Sequence, residues 1–231
     1  MQQSLSFLHT SPVHIQTFNA LLAELAPDVP ARHIVDESLL SEACAAGGVT
    51  PALQNRVEEI LRNIVEQGTA VVVCTCSSIG AVAEGLGRRI SFPLLRIDRP
   101  MAEEAITRGS RIIVAATLSS TLTPTRELLM LAAHEANKEI QIIELLCTSA
   151  WRQFELGNQE AYLREIARDM QAVADQGDII VLAQASMARA AQLCPDLTLP
   201  ILTSPRSGLI AALQVYRAIV SRDARAKVFE G

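Results

Sequence analysis

The order of short apolar runs in the first half of this chain recurs in the second, and that repetition limits the fold more than any other property of the sequence. Runs of β-branched and apolar residues at 5–8, 33–35, 70–75 and 94–97 read as strands, and so do 111–116, 141–145, 178–183 and 200–202. Amphipathic stretches fill the gaps; in Pro51–Glu66, Leu53, Val57, Ile60, Leu61 and Ile64 share one helical face. Landmarks keep a near-constant spacing: Thr117 follows Thr10 by 107 positions, Ile142 follows Ile34 by 108, and Pro200 follows Pro93 by 107. The segment EQGTAVVVCTCSSIG aligns with DQGDIIVLAQASMA when one residue is gapped, which sets Gln184 opposite Cys76, 108 positions away.

Strands alternating with helices define the α/β class with mostly parallel sheets. Here the reading is two pseudo-symmetric parallel-sheet half-domains from an internal duplication, with a site in the cleft between them. No Gly/Ser- or Pro-rich linker divides the halves. The stretch 99–110 reads as a crossover helix into the second half, and 208–220 as an apolar helix that packs back on the first. The expected domains are 1–98 with 208–231, and 99–207. Two crossings of this kind allow hinge motion.

With 231 residues, 49% of them hydrophobic, the chain is long enough to bury a large core. Its longest apolar runs, such as 112–116 and 179–183, are far short of the roughly 20 residues that span a bilayer. The first dozen residues carry neither a basic region nor an apolar core of the secretory kind, so a cytoplasmic location is expected. Five irregularly spaced cysteines fit free thiols better than a disulfide framework. A net charge of −5 with interspersed signs, and 3% aromatics, gives neither nucleic acid nor a membrane surface a footing. No GxGxxG or GK[ST] loop is present, so no cofactor is expected. The Cys74/Cys76 pair, with no second pair or clustered histidines, is a poor metal signature, and no metal is expected either.

Open parallel sheets bind ligands beyond the carboxyl ends of their strands. The loops there hold His9, Thr10 and Ser11; Cys76, Ser77 and Ser78; Thr117, Ser119, Ser120 and Thr121; and Gln184, Ala185 and Ser186. Hydroxyls and unpaired N–H groups at helix starts hold carboxylates or phosphates. The same hydroxyls commonly cap helices, but their density over 117–125 points to a small acidic ligand. Cys76 follows a strand and precedes a helix start, where a thiol pKa is lowered toward neutrality and the thiolate serves as base or nucleophile. Cys74 reads as a core residue, and Cys147 as a thiol near the same sheet end whose commonest role is structural. Cys44 and Cys194 receive no role. His9 either meets a ligand or bonds to backbone at its strand end, and His134 reads as surface.

The duplication, the cysteine in VCTCSSIGA, the loop ATLSSTLTPT and the symmetry-related VLAQASMA together resemble the aspartate/glutamate racemase superfamily, which includes hydantoin racemases, maleate isomerases and arylmalonate decarboxylases. The resemblance covers essentially the whole chain. In its racemases two cysteines, one from each half, flank the substrate α-carbon; one removes a proton and the other delivers it on the opposite face. Cys76 matches the first. Gln184 stands where the second is expected, and an amide is no general base at neutral pH.

The resemblance implies a cofactor-independent racemase or isomerase acting at or beside the α-carbon of a small carboxylate of the amino-acid or dicarboxylate class. Cys76 would be base or nucleophile, with His9 and Gln184 as auxiliaries. Thr10, Ser11, Ser77, Ser78, Thr117, Ser119, Ser120, Thr121, Ala185 and Ser186 would bind the substrate. A homodimer or higher homo-oligomer is also implied. Two alternatives stay open: a decarboxylase or lyase with a single catalytic thiol, and a non-catalytic small-carboxylate-binding protein.

Overall fold

The computed structural model describes residues 4–229, with side chains described to residue 222; residues 1–3 and 230–231, the outer ends of the first expected domain, lie outside the described residues. Strands β1 (Leu5–His9), β2 (Ala31–Val35), β3 (Val71–Cys74) and β4 (Leu94–Arg96) form one sheet, and β5 (Arg111–Ala116), β6 (Gln141–Leu146), β7 (Ile179–Leu182) and β8 (Ile201–Thr203) form another. Both sheets are entirely parallel and share one topology, β2-β1-β3-β4 and β6-β5-β7-β8. All eight expected strands are present, with ends that differ by one or two residues.

Alternation along the central strands explains the layers, since successive side chains point to opposite faces. Leu5 and Phe7 of β1 and Val71 and Val73 of β3 pack under helices α1 (Val13–Leu25) and α9 (Ser204–Phe229). Leu8, Val72 and Cys74 face the other way, onto α2 (Ser38–Ala46), α3 (Pro51–Glu66) and α4 (Ser77–Ile90). The second sheet repeats this. Ile112, Val114 and Ala116 meet α5 (Arg99–Arg108) and α6 (Ser119–Glu135). Ile113 and Ala115 meet α7 (Thr148–Glu155), α8 (Gln159–Val173) and a 3₁₀ segment at Ala185–Leu193.

One landmark of the repeat is corrected. Leu5 pairs with Ala31 and Ile112 with Ile142, so the counterpart of Ile142 is Ala31, and that of Ile34 is Leu145. The cause is helix length: α1 has 13 residues and α6 has 17, about one extra turn. The proline landmark holds, because the Pro93 and Pro200 carbonyls accept from the equivalent Val72 and Ile180 N–H groups.

The chain crosses between the halves twice. Helix α5 leaves β4 of the first sheet and buries Met101, Ala102, Ala105 and Ile106 against the second; α9 leaves β8 and buries Leu209, Ala212, Leu213 and Tyr216 against the first. The crossings touch at Gly208, where a Cβ would overlap the Ile97 carbonyl oxygen, so this approach requires glycine. No helix among the described residues is long and apolar enough to cross a membrane.

Candidate active site

In each sheet the strand order reverses between the two central strands, and the chain leaves them toward opposite faces, which opens a crevice at their carboxyl ends. The two crevices face each other. Between them lies a cavity of about 40 Å³ lined from the first half by Thr10, Ser11, His14, Leu40, Thr75, Cys76 and Ser77, and from the second by Thr121, Trp151, Phe154, Gln184, Ala185 and Ser186. That volume is close to the ~30 Å³ share of one water molecule in the liquid, so the halves lie close together here.

Cys76 and Gln184 occupy equivalent places. The preceding residues, Thr75 and Ala183, donate N–H bonds to the carbonyls of Leu8 and Ala115, one residue beyond each strand. Cys76 is the N-cap of α4 (φ −102°, ψ 118°) and Gln184 the N-cap of the 3₁₀ segment (φ −123°, ψ 138°). The Thr10 and Ser78 hydroxyls and the Ser78 and Ile79 N–H groups all favour a thiolate at Cys76, although its sulfur accepts no capping hydrogen bond from the helix. Burial outweighs them and pushes the thiol up, contrary to the expected lowering. The magnitudes explain this: a helix N-terminus contributes ~0.3–2 kcal/mol to an anion, whereas desolvating one costs several kcal/mol.

The Gln184 amide is oriented by Thr117, whose N–H and Oγ1–H donate to Oε1 at 2.7 and 2.8 Å. A backbone N–H can only donate, which identifies the amide oxygen. The NH₂ group, with no protein acceptor among the described residues, is left for a ligand.

The remaining candidates divide. Thr10, Ser11, Thr121 and Ala185 line the cavity. Ser77 Oγ lines it too, and donates across the halves to the Ala183 carbonyl at 2.8 Å. Ser186 Oγ bonds Tyr162 Oη at 2.8 Å. Ser78 bonds Thr121 at 3.3 Å, and with Ser120 it faces a separate groove of about 650 Å³ between α3, α4 and α6. That groove contains no cysteine, and its Arg89 is paired with Glu58 at 2.5 Å. Ser119 is exposed outside both spaces.

His9 lies beneath the cavity, outside its wall. It is fully buried, with Nδ1 on Thr75 Oγ1 and Nε2 on His33 Nδ1, each at 2.8 Å. Burial first, then His14 and His33, lower its pKa to about 3. It therefore positions Thr75 as a neutral ring. Cys147 is fully buried, and burial pushes its thiol up to about 12. Cys74 is a core residue and His134 is exposed. Below Ser77, the buried Asp98 is held ionised against its burial by Arg96, at 2.7 and 3.0 Å.

Sequence reasoning passed over His14, Leu40, Trp151 and Phe154. His14 shares the helical spacing of the core residues Phe18 and Leu22 and reads as part of that stripe. The i, i+3 aromatic pair Trp151 and Phe154, in a chain with 3% aromatics, is the signal that marks the second half's wall.

The chain matches the Asp/Glu/Hydantoin racemase family over residues 10–212 and belongs to it. No curated protein sequence matches it. Among solved structures it is similar to glutamate racemase isoform RacE1 from Bacillus anthracis, at 16% identity over 94% of this chain and 82% of that one, with a TM-score of 0.70. It is similar to aspartate racemase from Picrophilus torridus, at 12% identity over 93% and 94% with a TM-score of 0.67. It is also similar to allantoin racemase from Klebsiella pneumoniae, at 18% identity over 96% and 89% with a TM-score of 0.58.

Proposed function

We propose that this protein is a racemase or isomerase that exchanges a proton at the α-carbon of a small carboxylate held between the halves, with Cys76 as the proton-exchanging thiol. The observation that carries the reading is the position of Cys76: at the switch point, in the cavity wall at the N-cap position of α4, with hydroxyl and N–H groups nearby that favour its thiolate and the Gln184 amide at the equivalent place in the other half. Such donors stabilise charge that develops in the transition state. No lysine or arginine lines the cavity, so the carboxylate is held by hydroxyls and N–H groups. Leu40, Trp151 and Phe154 face the rest of the ligand and favour an uncharged substituent or ring over a second charged group.

The substitution of an amide for a second thiol also supports a one-faced reaction such as decarboxylation. Chiral chromatography of single enantiomers of aspartate, glutamate, allantoin and 5-substituted hydantoins, with arylmalonates alongside, separates the two. Interconversion that falls at least about 1,000-fold in Cys76→Ala supports the racemase; release of carbon dioxide with a single product enantiomer supports the lyase. Unchanged turnover by Cys76→Ala contradicts both.

A further inference from the structure

Inverting a stereocentre takes two groups, one to accept a proton and one to deliver it. The hydroxyls of the cavity, the Gln184 amide and the Trp151 indole do neither to carbon at neutral pH. Two other side chains in the wall do: the Cys76 thiol and the His14 imidazole.

His14 is the second residue of α1 and is 9% exposed. Its Nδ1 is buried without a hydrogen-bond partner. The nearest ring, His9, stands edge-on at 5.9 Å with both nitrogens already committed to Thr75 and His33. His14 thus brings to the cavity wall an imidazole whose Nδ1 no protein group among the described residues occupies. By the 107-residue offset, the counterpart of His14 is Thr121, which also lines the cavity, so both halves present this helix position to the cleft.

We propose that His14 is the second catalytic acid–base, paired with Cys76 across the α-carbon; this rests on the racemase reading above. In one direction the neutral imidazole takes the α-proton, the C–H electron pair passes into the carboxylate to give an enediolate, and the thiol of Cys76 gives its proton to the opposite face. The resulting imidazolium and thiolate return to imidazole and thiol by passing one proton through water when the halves open. The other enantiomer follows the reverse steps. Burial keeps the resting groups in the required forms: it lowers His14 to about 4 and raises Cys76. The other titratable side chain in the wall is Cys76, and His9 lies edge-on to the His14 ring; no carboxylate, lysine or arginine lines the cavity.

His14→Gln keeps a polar side chain and removes the titration. With a turned-over enantiomer in D₂O, it is expected to lower inversion at least ~100-fold, while the enantiomer whose α-hydrogen faces Cys76 still takes up deuterium with retention. Cys76→Ser is expected to show the mirror result, exchange of the other enantiomer only. Inversion by His14→Gln within threefold of wild type, with Cys76→Ser inactive, overturns the pairing and leaves the proposed function standing. Full inversion by Cys76→Ser overturns the function itself. A readout on wild type needs neither turnover nor a folded variant: in ¹³C-histidine-labelled protein titrated with phenylacetate, the His14 signal is expected to move and its pKa to rise beside the bound carboxylate. A His14 signal unchanged by phenylacetate up to 50 mM, about the limit for a weak carboxylate ligand, overturns the proposal.

Discussion

His9, His14 and His33 cluster with Phe7 and Phe18 at the edge of the cleft, and each of the three is less basic folded than free. Because the unfolded chain takes up these protons first, the stability they contribute is complete above pH ~6.5 and is lost as pH falls toward the folded values of about 4 and 3. At ~1.4 kcal/mol per unit, His9 and His14 together account for several kcal/mol. Thermal unfolding followed from pH 7 to pH 4 should therefore show a steep fall in Tm, and His9→Gln should flatten it; an equally steep fall in the variant would contradict this assignment. Gln184 acts at the same scale. With its amide nitrogen as a donor to developing charge, Gln184→Ala should reduce kcat about 100-fold with a smaller change in KM. An effect confined to KM would mean that the amide only holds the ground state.

Elements explain how much could be read beforehand. The strands were legible because β-branched runs in a fully covered parallel sheet carry little else. The equivalence of Cys76 and Gln184 was legible because both follow the innermost strand of their sheet, where the 107–108 offset is fixed by pairing. The offset failed at β2 and β6, because helix lengths on the sheet faces are free to differ by a turn. The cavity wall was only half legible: Cys76, Thr10 and Gln184 sit in loops that announce themselves, whereas His14 and Leu40 lie on helices whose periodicity looks like core. The thiol's direction of shift was misread because a sequence shows the helix start but not the closure above it. At the crossing, Gly208→Ala drives a methyl into the Ile97 carbonyl and should cost about 1–3 kcal/mol. For a chain of this size that is a fall in Tm of roughly 2–12 °C; an unchanged Tm would show that α9 slides aside.

For the proposed ligand the two halves must part, since about 40 Å³ is smaller than a substituted carboxylic acid. Buried hydrogen bonds of Ser77 with Ala183 and Ser78 with Thr121 join the halves. Removing a hydrogen bond of ~0.5–1.5 kcal/mol shifts the closed population about 2- to 10-fold. Ser77→Ala should accordingly speed alkylation of Cys76 by that factor while Cys44, already exposed, reacts as before. Equal acceleration at both thiols would indicate general loosening instead of hinge opening.

The central claim is that the buried thiol of Cys76 exchanges a proton with the α-carbon of a ligand in this cleft. Proton NMR in D₂O of the enantiomer whose α-hydrogen faces Cys76 tests it most directly, by following its α-proton signal with wild type and with Cys76→Ala at equal concentration. The account predicts that the signal disappears with wild type as the opposite, deuterated enantiomer accumulates, and that it persists with the variant. Loss of the signal at the same rate in both would contradict it.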